Sequence, residues 1–247
     1  MSDAWCPSPR YLLRKQCVLR LLRGLTPGRA LEVGCGPGEL LATLGAMGFT
    51  GLGVELSQGS IEAARARLAP LGHDIHIGEA GEEYAAGPYE YVIAMEVLEH
   101  IEDDLAALRQ WRKLLRDDGR LLLSVPADPA RWGPSDELAG HYRRYTRDDL
   151  RERLSEAGFH MEKLWSYGVP LANLSNWMTN RIARRDAASL ASLDQRRRSE
   201  RSGLDRSAIS AGQGLWNNSV FRALGSMQLL FTAGNLGIGY ILRARAV

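Results

Sequence analysis

Short apolar runs alternate with amphipathic segments through the first half of this 247-residue chain. The apolar runs have the length of buried strands, and Gly, Pro or acidic residues bound them. Between the runs, apolar residues recur at helical spacing. Strict alternation of strand and helix is typical of a parallel sheet covered by helices on both faces. The predicted strands are 31–33, 51–55, 73–78, 90–95 and 120–125, and the predicted helices are 11–23, 39–47, 59–68 and 103–115.

The second half of the chain shows a less regular pattern. Thr146 and Asp149 have the spacing of a capping box, so we expect a helix to begin there. Two further apolar runs predict a sixth strand over 159–167 and a last strand over 238–242. The sheet is therefore expected to have seven strands.

A long segment, 168–235, separates the last two predicted strands and is much longer than an ordinary connection. Its part 184–214 is polar and rich in Arg and Ser, which leaves two interpretations open. It is either a solvated, partly disordered linker or a mobile lid. We expect one domain over 1–247, with an N-terminal cap helix within 1–25 and a helical insertion or lid over 168–235.

Residues 223–242 contain no charged side chain and are long enough to cross a bilayer. Four glycines and several polar residues interrupt them, and these divide the segment into the end of a helix and a short strand. We therefore expect no membrane span.

The composition excludes several broad classes. Hydrophobic residues make up 45% and charged residues 24%, as in ordinary globular proteins, and a net charge of +2 does not indicate a nucleic-acid partner. The three cysteines lack metal-ligand spacing and are expected to be free thiols in a reducing compartment. We expect a cytoplasmic monomer or homodimer.

Three glycines, Gly34, Gly36 and Gly38, occupy every second position after the first strand. Glycine adopts positive φ easily and lets the main chain approach a ligand without a Cβ in the way. Glu55 ends the next strand, 55 − 34 = 21 residues later, where nucleotide-binding α/β units place an acid against ribose hydroxyls. Glu39 stands where a dinucleotide fingerprint has its last glycine, so a pyrophosphate ligand and an NAD-dependent oxidoreductase are disfavoured.

The run from Glu32 to Gly38, together with Glu55, resembles the first motif of the class I, Rossmann-like methyltransferases that depend on S-adenosylmethionine. The resemblance covers about 25–159. It implies an α/β fold with a doubly wound, mostly parallel seven-stranded sheet and a helical insertion before the last strand. It also implies S-adenosyl-L-methionine as cofactor, S-adenosyl-L-homocysteine as product and a small-molecule acceptor. The residues that it assigns to the cofactor are Glu32, Gly34, Cys35, Gly36, Gly38, Glu55, Leu56, Glu79, Ala80, Met95 and Glu96.

The resemblance also implies a division of labour within this set. The glycine turn would shape the methionine pocket, and Glu55 would hold the ribose. Glu79 and Ala80 would flank the adenine, and Met95 and Glu96 would lie beside the methionine end.

Methyl transfer from a sulfonium is an in-line displacement, so the protein mainly aligns the acceptor and, for an oxygen acceptor, removes a proton. We expect an oxygen acceptor in biosynthetic or secondary metabolism. His141 is the predicted general base or acceptor-orienting group, with Tyr142 and Arg143 lining the pocket and His100 as a further catalytic candidate. The alternative is that 142–145 only anchor a loop.

Glu96, Glu99 and His100 are spaced i, i+3 and i+4 and would share one face if a helix began there. This stretch resembles the metal-binding segment of ubiquinone-biosynthesis O-methyltransferases and small-RNA 2′-O-methyltransferases, in which a further His after the fifth strand can complete the site. His141 is placed to be that residue. The same ending also occurs in relatives that hold no metal, so a divalent metal is not firmly predicted.

Two other functions stay open. The alternatives to the expected methyltransferase are a catalytically inactive module that binds S-adenosylmethionine and a metal-assisted O-methyltransferase. Turnover separates the first from an active enzyme, and metal binding separates the second.

Overall fold

A computed structural model describes residues 7–70, 75–79, 87–170, 172–173 and 225–247. Seven strands form one sheet in the order β3-β2-β1-β4-β5-β7-β6. Strands β1 to β5 are parallel, whereas β7 lies antiparallel between β5 and β6. The predicted mostly parallel, seven-stranded sheet is thereby confirmed. The strands are β1 Arg29–Val33, β2 Thr50–Glu55, β3 Ile75–Glu79, β4 Tyr89–Met95, β5 Leu115–Pro126, β6 Phe159–Tyr167 and β7 Gly239–Ala246.

The strand order reverses beside β1, because the chain moves outward to β2 and β3 on one side and to β4 and β5 on the other. In open α/β sheets, ligands bind beyond the carboxyl ends of the strands at such a switch point. The loops after β1, β2 and β4 therefore border the expected crevice.

Six described α-helices connect these strands, and their ends have identifiable causes. Helix α1 begins with Pro9 behind Ser8, whose hydroxyl accepts a hydrogen bond from the Tyr11 N–H. The predicted capping box at Thr146 and Asp149 is confirmed, since each side chain accepts from the other residue's backbone N–H. The helices are α1 Pro9–Leu21, α2 Glu39–Ala46, α3 Gln58–Leu68, α4 Asp104–Leu114, α5 Pro134–Ala139 and α6 Arg147–Glu156.

Strand β5 begins earlier than the sequence pattern predicts. The Asp117-Asp118-Gly119 signal does not separate helix from strand, because it lies inside β5, where Asp118 has φ 59°. The register against β4 shifts at this point, between Tyr89 and Tyr91. The turn residues thus form an irregularity within the strand. Helix α5, which carries Asp136, was also absent from the predicted elements.

Alternation along the central strands buries both faces of the sheet. In β4, Val92 and Ala94 point to one face, and Tyr91 and Ile93 point to the other. The first face packs against α4 and α6, and the second packs against α1 and α2. The helix residues that fill these two cores are Leu108, Trp111, Leu150 and Leu154 on the first face, and Leu13, Val18, Leu21, Leu40 and Leu44 on the second.

Most of the predicted insertion lies outside the described residues, including all of 184–214. Its described end contains a 3-10 helix over Met227–Phe231. Within the described parts of the chain, no helix has the length and apolar character needed to cross a bilayer.

Candidate active site

The turn after β1 depends on glycine at three positions. Gly34, Gly36 and Gly38 have φ of 67°, 53° and 73°, in the left-handed region. A Cβ on Gly34 would come within 2.7 Å of a Val97 methyl, while a Cβ on Gly36 would meet nothing within 4 Å. The turn is therefore in close contact with Val97 at Gly34, and the space beside Gly36 is open to the crevice.

Glu55, at the end of β2, supports this turn with its carboxylate. Oε2 accepts a hydrogen bond from the Gly36 N–H at 2.9 Å. Oε1 accepts from the backbone N–H groups of Leu56 at 2.8 Å and Ser57 at 3.0 Å. The acid that sequence analysis assigned to the ribose thus lies directly against the glycine turn, and a carboxylate with about four lone-pair sites can accept further bonds.

Two buried side chains of the predicted cofactor set lie beneath the turn. Glu32 is buried, and its Oε2 has no hydrogen-bond partner in the part of the chain that the structure describes. Burial raises the pKa of Glu32 well above its usual value; the Glu55 charge adds to the shift and Arg14 opposes it. Burial likewise raises the pKa of the Cys35 thiol, which makes that cysteine a poor nucleophile.

Helix α1 is fastened to the crevice by two ion pairs. Lys15 Nζ lies 2.6 Å from Glu39 Oε1, at the start of α2, just beyond the glycine turn. Arg14 Nη1 lies 3.7 Å from Glu96 Oε2 and donates to the Tyr167 hydroxyl at 3.4 Å. The N-terminal helix therefore borders the residues that follow β1 and β4.

Glu96 follows β4 directly and has a positive φ of 58°. Its N–H donates to the backbone O and to Oγ of Ser124. Its Oε1 accepts from the Ser124 hydroxyl at 2.8 Å and from the Tyr167 hydroxyl at 3.2 Å. Arg14, Ser124 and Tyr167 were missed by sequence analysis. Ser124 and Tyr167 lie near the carboxyl ends of β5 and β6. The rule that ligands bind beyond the carboxyl ends of the strands is the sequence signal that could have identified them.

A second group lies beyond Glu96. One ligand atom each from Glu99, His100 and His141 lies within 4.8 Å of the other two. The predicted helical face that would add Glu96 to this group is wrong. Only a 3-10 turn, Leu98–His100, forms here, and Glu96 precedes it with its side chain bound to Ser124 and Tyr167.

The electrostatics of this group reflect its burial. Glu99 is fully buried, and neither carboxyl oxygen has a hydrogen-bond partner among the described residues. Burial raises its pKa well above the usual value, and the Glu96 charge adds to the shift. Burial, together with the neighbouring His141 ring, lowers the pKa of His100 to about 4. The two rings meet edge to face with centroids 4.7 Å apart. Because its pKa is lowered to about 4, His100 is a neutral imidazole at physiological pH.

The loop after β5 anchors itself through several of its polar residues. Tyr145 donates its hydroxyl to buried Asp104 at 2.9 Å, and Arg143 forms an ion pair with the same acid at 2.9 Å. The Tyr142 N–H donates to the Glu99 carbonyl, while its side chain is 40% exposed. The anchoring interpretation accounts for Arg143 and Tyr145, and His141 is the loop residue that joins the Glu99 group.

The remaining predicted cofactor residues stand at, or directly after, the last residues of strands β2, β3 and β4. Leu56 is an exposed side chain after β2, and Met95 is half-buried at the end of β4. The backbone of Glu79 ends β3 beside Glu55. Ala80 lies outside the described residues. The two strand ends place the backbones of Glu55 and Glu79 side by side.

Comparison with known proteins gives a family match and partial relatives. The profile of a family described as "Methyltransferase domain" matches residues 10–164. A ubiquinone biosynthesis O-methyltransferase from Caulobacter sp. (strain K31) is 34% identical over 129 residues, which are 48% of this chain and 51% of that protein. The chain thus spans about half the length of this curated relative.

Solved structures share the fold at low identity. Magnesium protoporphyrin IX methyltransferase from Synechocystis PCC 6803, crystallised with bound S-adenosylhomocysteine, has a TM-score of 0.53 and 21% identity, covering 65% of this chain and 80% of that one. The [4+2]-cyclase SpnF has a TM-score of 0.62 and 18% identity, covering 99% and 84%. At these identities the likeness shows the fold alone.

Proposed function

We propose that this chain, which belongs to the methyltransferase domain family, transfers a methyl group from S-adenosylmethionine to an oxygen atom of a small-molecule acceptor. The predicted membership of the class I methyltransferases is confirmed by the family profile and by the fold. The acceptor atom and the residue roles are the proposed part. The name of the curated relative, an O-methyltransferase, supports oxygen.

The observation that carries the proposal is the turn at Gly34 to Gly38. Its left-handed glycines leave open space over Gly36, and Glu55 lies against its N–H. Glu32 Oε2 is buried and has no hydrogen-bond partner among the described residues, so it is an acceptor for a cationic group of the ligand. An ammonium on a methionine-like ligand has that charge, and a ribose supplies hydroxyls for Glu55. These residues therefore fit S-adenosylmethionine.

The proposed reaction needs a base and alignment. An acceptor oxygen attacks the methyl carbon, the carbon–sulfur bond breaks in line, and S-adenosylhomocysteine leaves with the electron pair. The acceptor's proton passes to His141, whose Nδ1 is held at 2.9 Å by Asp136 and whose Nε2 is free to accept it. Because the pKa of His100 is lowered to about 4, the His100 ring is uncharged where it contacts the proposed base, His141.

Ligand binding tests the cofactor assignment. S-adenosylhomocysteine at 100 times its dissociation constant is expected to stabilise the folded chain by about 2.7 kcal/mol, whereas NAD gives no shift. Thermal unfolding monitored by fluorescence measures both. A shift with NAD alone contradicts the proposal.

Turnover tests the acceptor assignment. Radiolabelled methyl from S-adenosylmethionine is expected to appear in an O-methyl product when extracts of a strain lacking this chain are supplied as acceptor. A chain that binds S-adenosylhomocysteine yet labels nothing is the inactive binding module. An N- or C-linked product would contradict the choice of oxygen.

A second candidate function, metal-assisted O-methyl transfer, is favoured by the Glu99, His100 and His141 group. Its donor atoms lie within 4.8 Å of one another, and both Glu99 oxygens are buried with no hydrogen bond from any described residue. Each histidine has one ring nitrogen bonded elsewhere, to Gly140 and Asp136 respectively, as metal-bound histidines usually have. These residues therefore fit a divalent cation. Such a cation would polarise a bound acceptor oxygen.

Metal affinity decides between the two candidates. Under the metal-assisted mechanism, isothermal titration of Mg²⁺ or Mn²⁺ into the chain releases heat, and Glu99→Gln weakens that binding about 10-fold or more, since a neutral amide replaces an anionic ligand. Glu62→Gln, on the exposed face of α3, is the matched control. Absence of heat with the wild-type chain, together with activity that withstands a chelator, contradicts this candidate.

A further inference from the structure

Asp136 is a buried acid at the centre of a hydrogen-bond network that includes the proposed base, His141. Its side chain is 1% exposed, although helix α5 that carries it is short and lies near the surface. Oδ1 contacts His141 Nδ1 and accepts from Arg144 Nε, both at 2.9 Å. Oδ2 accepts from the Gly133 N–H at 2.9 Å and from Arg144 Nη2 at 3.0 Å.

Arg144 makes this network rigid. Its side chain is 5% exposed and binds both carboxylate oxygens of Asp136 in the bidentate geometry that fixes orientation. Its Nη1 donates to the Ala127 carbonyl, just after β5. The carboxylate is thereby tied to the edge of the sheet on which the crevice lies.

The charge state of Asp136 follows from these contacts. Each of its two oxygens accepts a hydrogen bond from a group that can only donate, the Arg144 guanidinium on both oxygens and the Gly133 N–H on Oδ2. The group is therefore an anion that only accepts hydrogen bonds. His141 Nδ1 must then carry a hydrogen, so in the neutral imidazole Nε2 is the ring nitrogen with a lone pair.

We infer that Asp136, held by Arg144, is a positioning residue that fixes His141 as the Nδ1-protonated tautomer and presents Nε2 as an acceptor. The inference deepens the proposed function and rests on it for the use made of Nε2, as a base or as a metal ligand. The tautomer itself does not depend on that use. Because Arg144 already neutralises the carboxylate, the pair orients the imidazole ring and keeps the acid from taking its proton.

The wild-type chain provides the first test. Nitrogen-15 NMR of the histidine side chains, without ligand or metal and at a pH above imidazole protonation, reports which ring nitrogen carries hydrogen. The His141 signals are assigned by their loss in His141→Gln. We expect a single tautomer with hydrogen on Nδ1. Hydrogen on Nε2, or an equal mixture of tautomers, overturns the inference, and this measurement needs no variant at Asp136.

Asp136→Asn provides the second test. An amide NH₂ at the Oδ2 position would face two groups that can only donate, the Gly133 N–H and Arg144 Nη2. At the Oδ1 position it would face Arg144 Nε and His141 Nδ1, and Nδ1 can become an acceptor by giving up its hydrogen, so we expect this orientation. We expect His141 to lose its single tautomer and kcat to fall about 10–100-fold, with the dissociation constant for S-adenosylhomocysteine unchanged. Asp148→Asn, at a side chain that is 91% exposed, is the matched control.

The outcomes separate the inference from the proposed function. A tautomer that stays on Nδ1 in Asp136→Asn, or a loss of S-adenosylhomocysteine affinity equal to the loss in kcat, means that the acid is merely structural. A wild-type chain that shows the expected tautomer but transfers no methyl group upholds the positioning role and contradicts the function.

Discussion

Replacing His141 with alanine is expected to lower kcat by about 10²–10⁴-fold, the usual contribution of a general base. The ring lies beside Glu99 and His100, and its Nδ1 is held by Asp136. Under the proposed mechanism, its removal takes away the group that accepts the proton of the acceptor hydroxyl. Initial rates at saturating S-adenosylmethionine measure the effect.

The affinity for S-adenosylhomocysteine is expected to stay unchanged in this variant, because none of the described contacts of His141 involves the glycine turn. His160→Ala removes an exposed imidazole from β6 and is the matched control. A variant that keeps the full rate on the true acceptor eliminates His141 as base. Recovery of the rate with excess divalent metal instead assigns His141 to the metal-assisted mechanism.

Replacing Glu55 with glutamine is expected to raise the dissociation constant for S-adenosylhomocysteine about 100-fold. The carboxylate now accepts from three backbone N–H groups, at Gly36, Leu56 and Ser57. An amide must turn an NH₂ toward at least one of these donors and can accept fewer bonds from ribose hydroxyls. Hydrogen bonds to a charged group contribute about 1.5–3 kcal/mol each, so the loss of one or two gives this magnitude.

Isothermal titration with S-adenosylhomocysteine measures this loss, and Glu62→Gln on α3 is the matched control. The kcat at saturating cofactor is expected to fall far less than the affinity, because Glu55 lies against the glycine turn and not among the proposed base residues. Wild-type affinity in Glu55→Gln contradicts the ribose role. It leaves the fold assignment untouched.

The sheet was largely predictable because its signals are local. Strand β6 occupies the predicted residues, and α2 and α3 begin within one residue of the predicted starts. The spacing of apolar residues along the sequence shows which side chains are buried, and therefore which of them face the core. Strand β5 was predicted too short because an Asp-Asp-Gly turn signal looks the same in a loop and in an irregular strand. The partner strand β4 decided between them.

The candidate site also contains one part that the sequence predicted and one part that it did not. Gly34, Gly36 and Gly38 with Glu55 form a pattern that sequence spacing alone reveals, and the structure brings them into contact. The spacing of Glu96, Glu99 and His100 was misleading, because a positive φ at Glu96 and a 3-10 turn replace the expected helix face.

Spacing along the chain determined the fold class, the family resemblance and the glycine turn with its acid, since each depends on residues near one another in sequence or on strands of known order. Only the tertiary structure decided which polar groups share a buried cluster. Arg14 meets Glu96 across 82 positions (96 − 14), and His100 meets His141 across 41 (141 − 100). Such contacts depend on how α1 and the loop after β5 dock on the sheet, and burial of the resulting charges then sets their pKa values and hydrogen bonds. No local pattern encodes that docking.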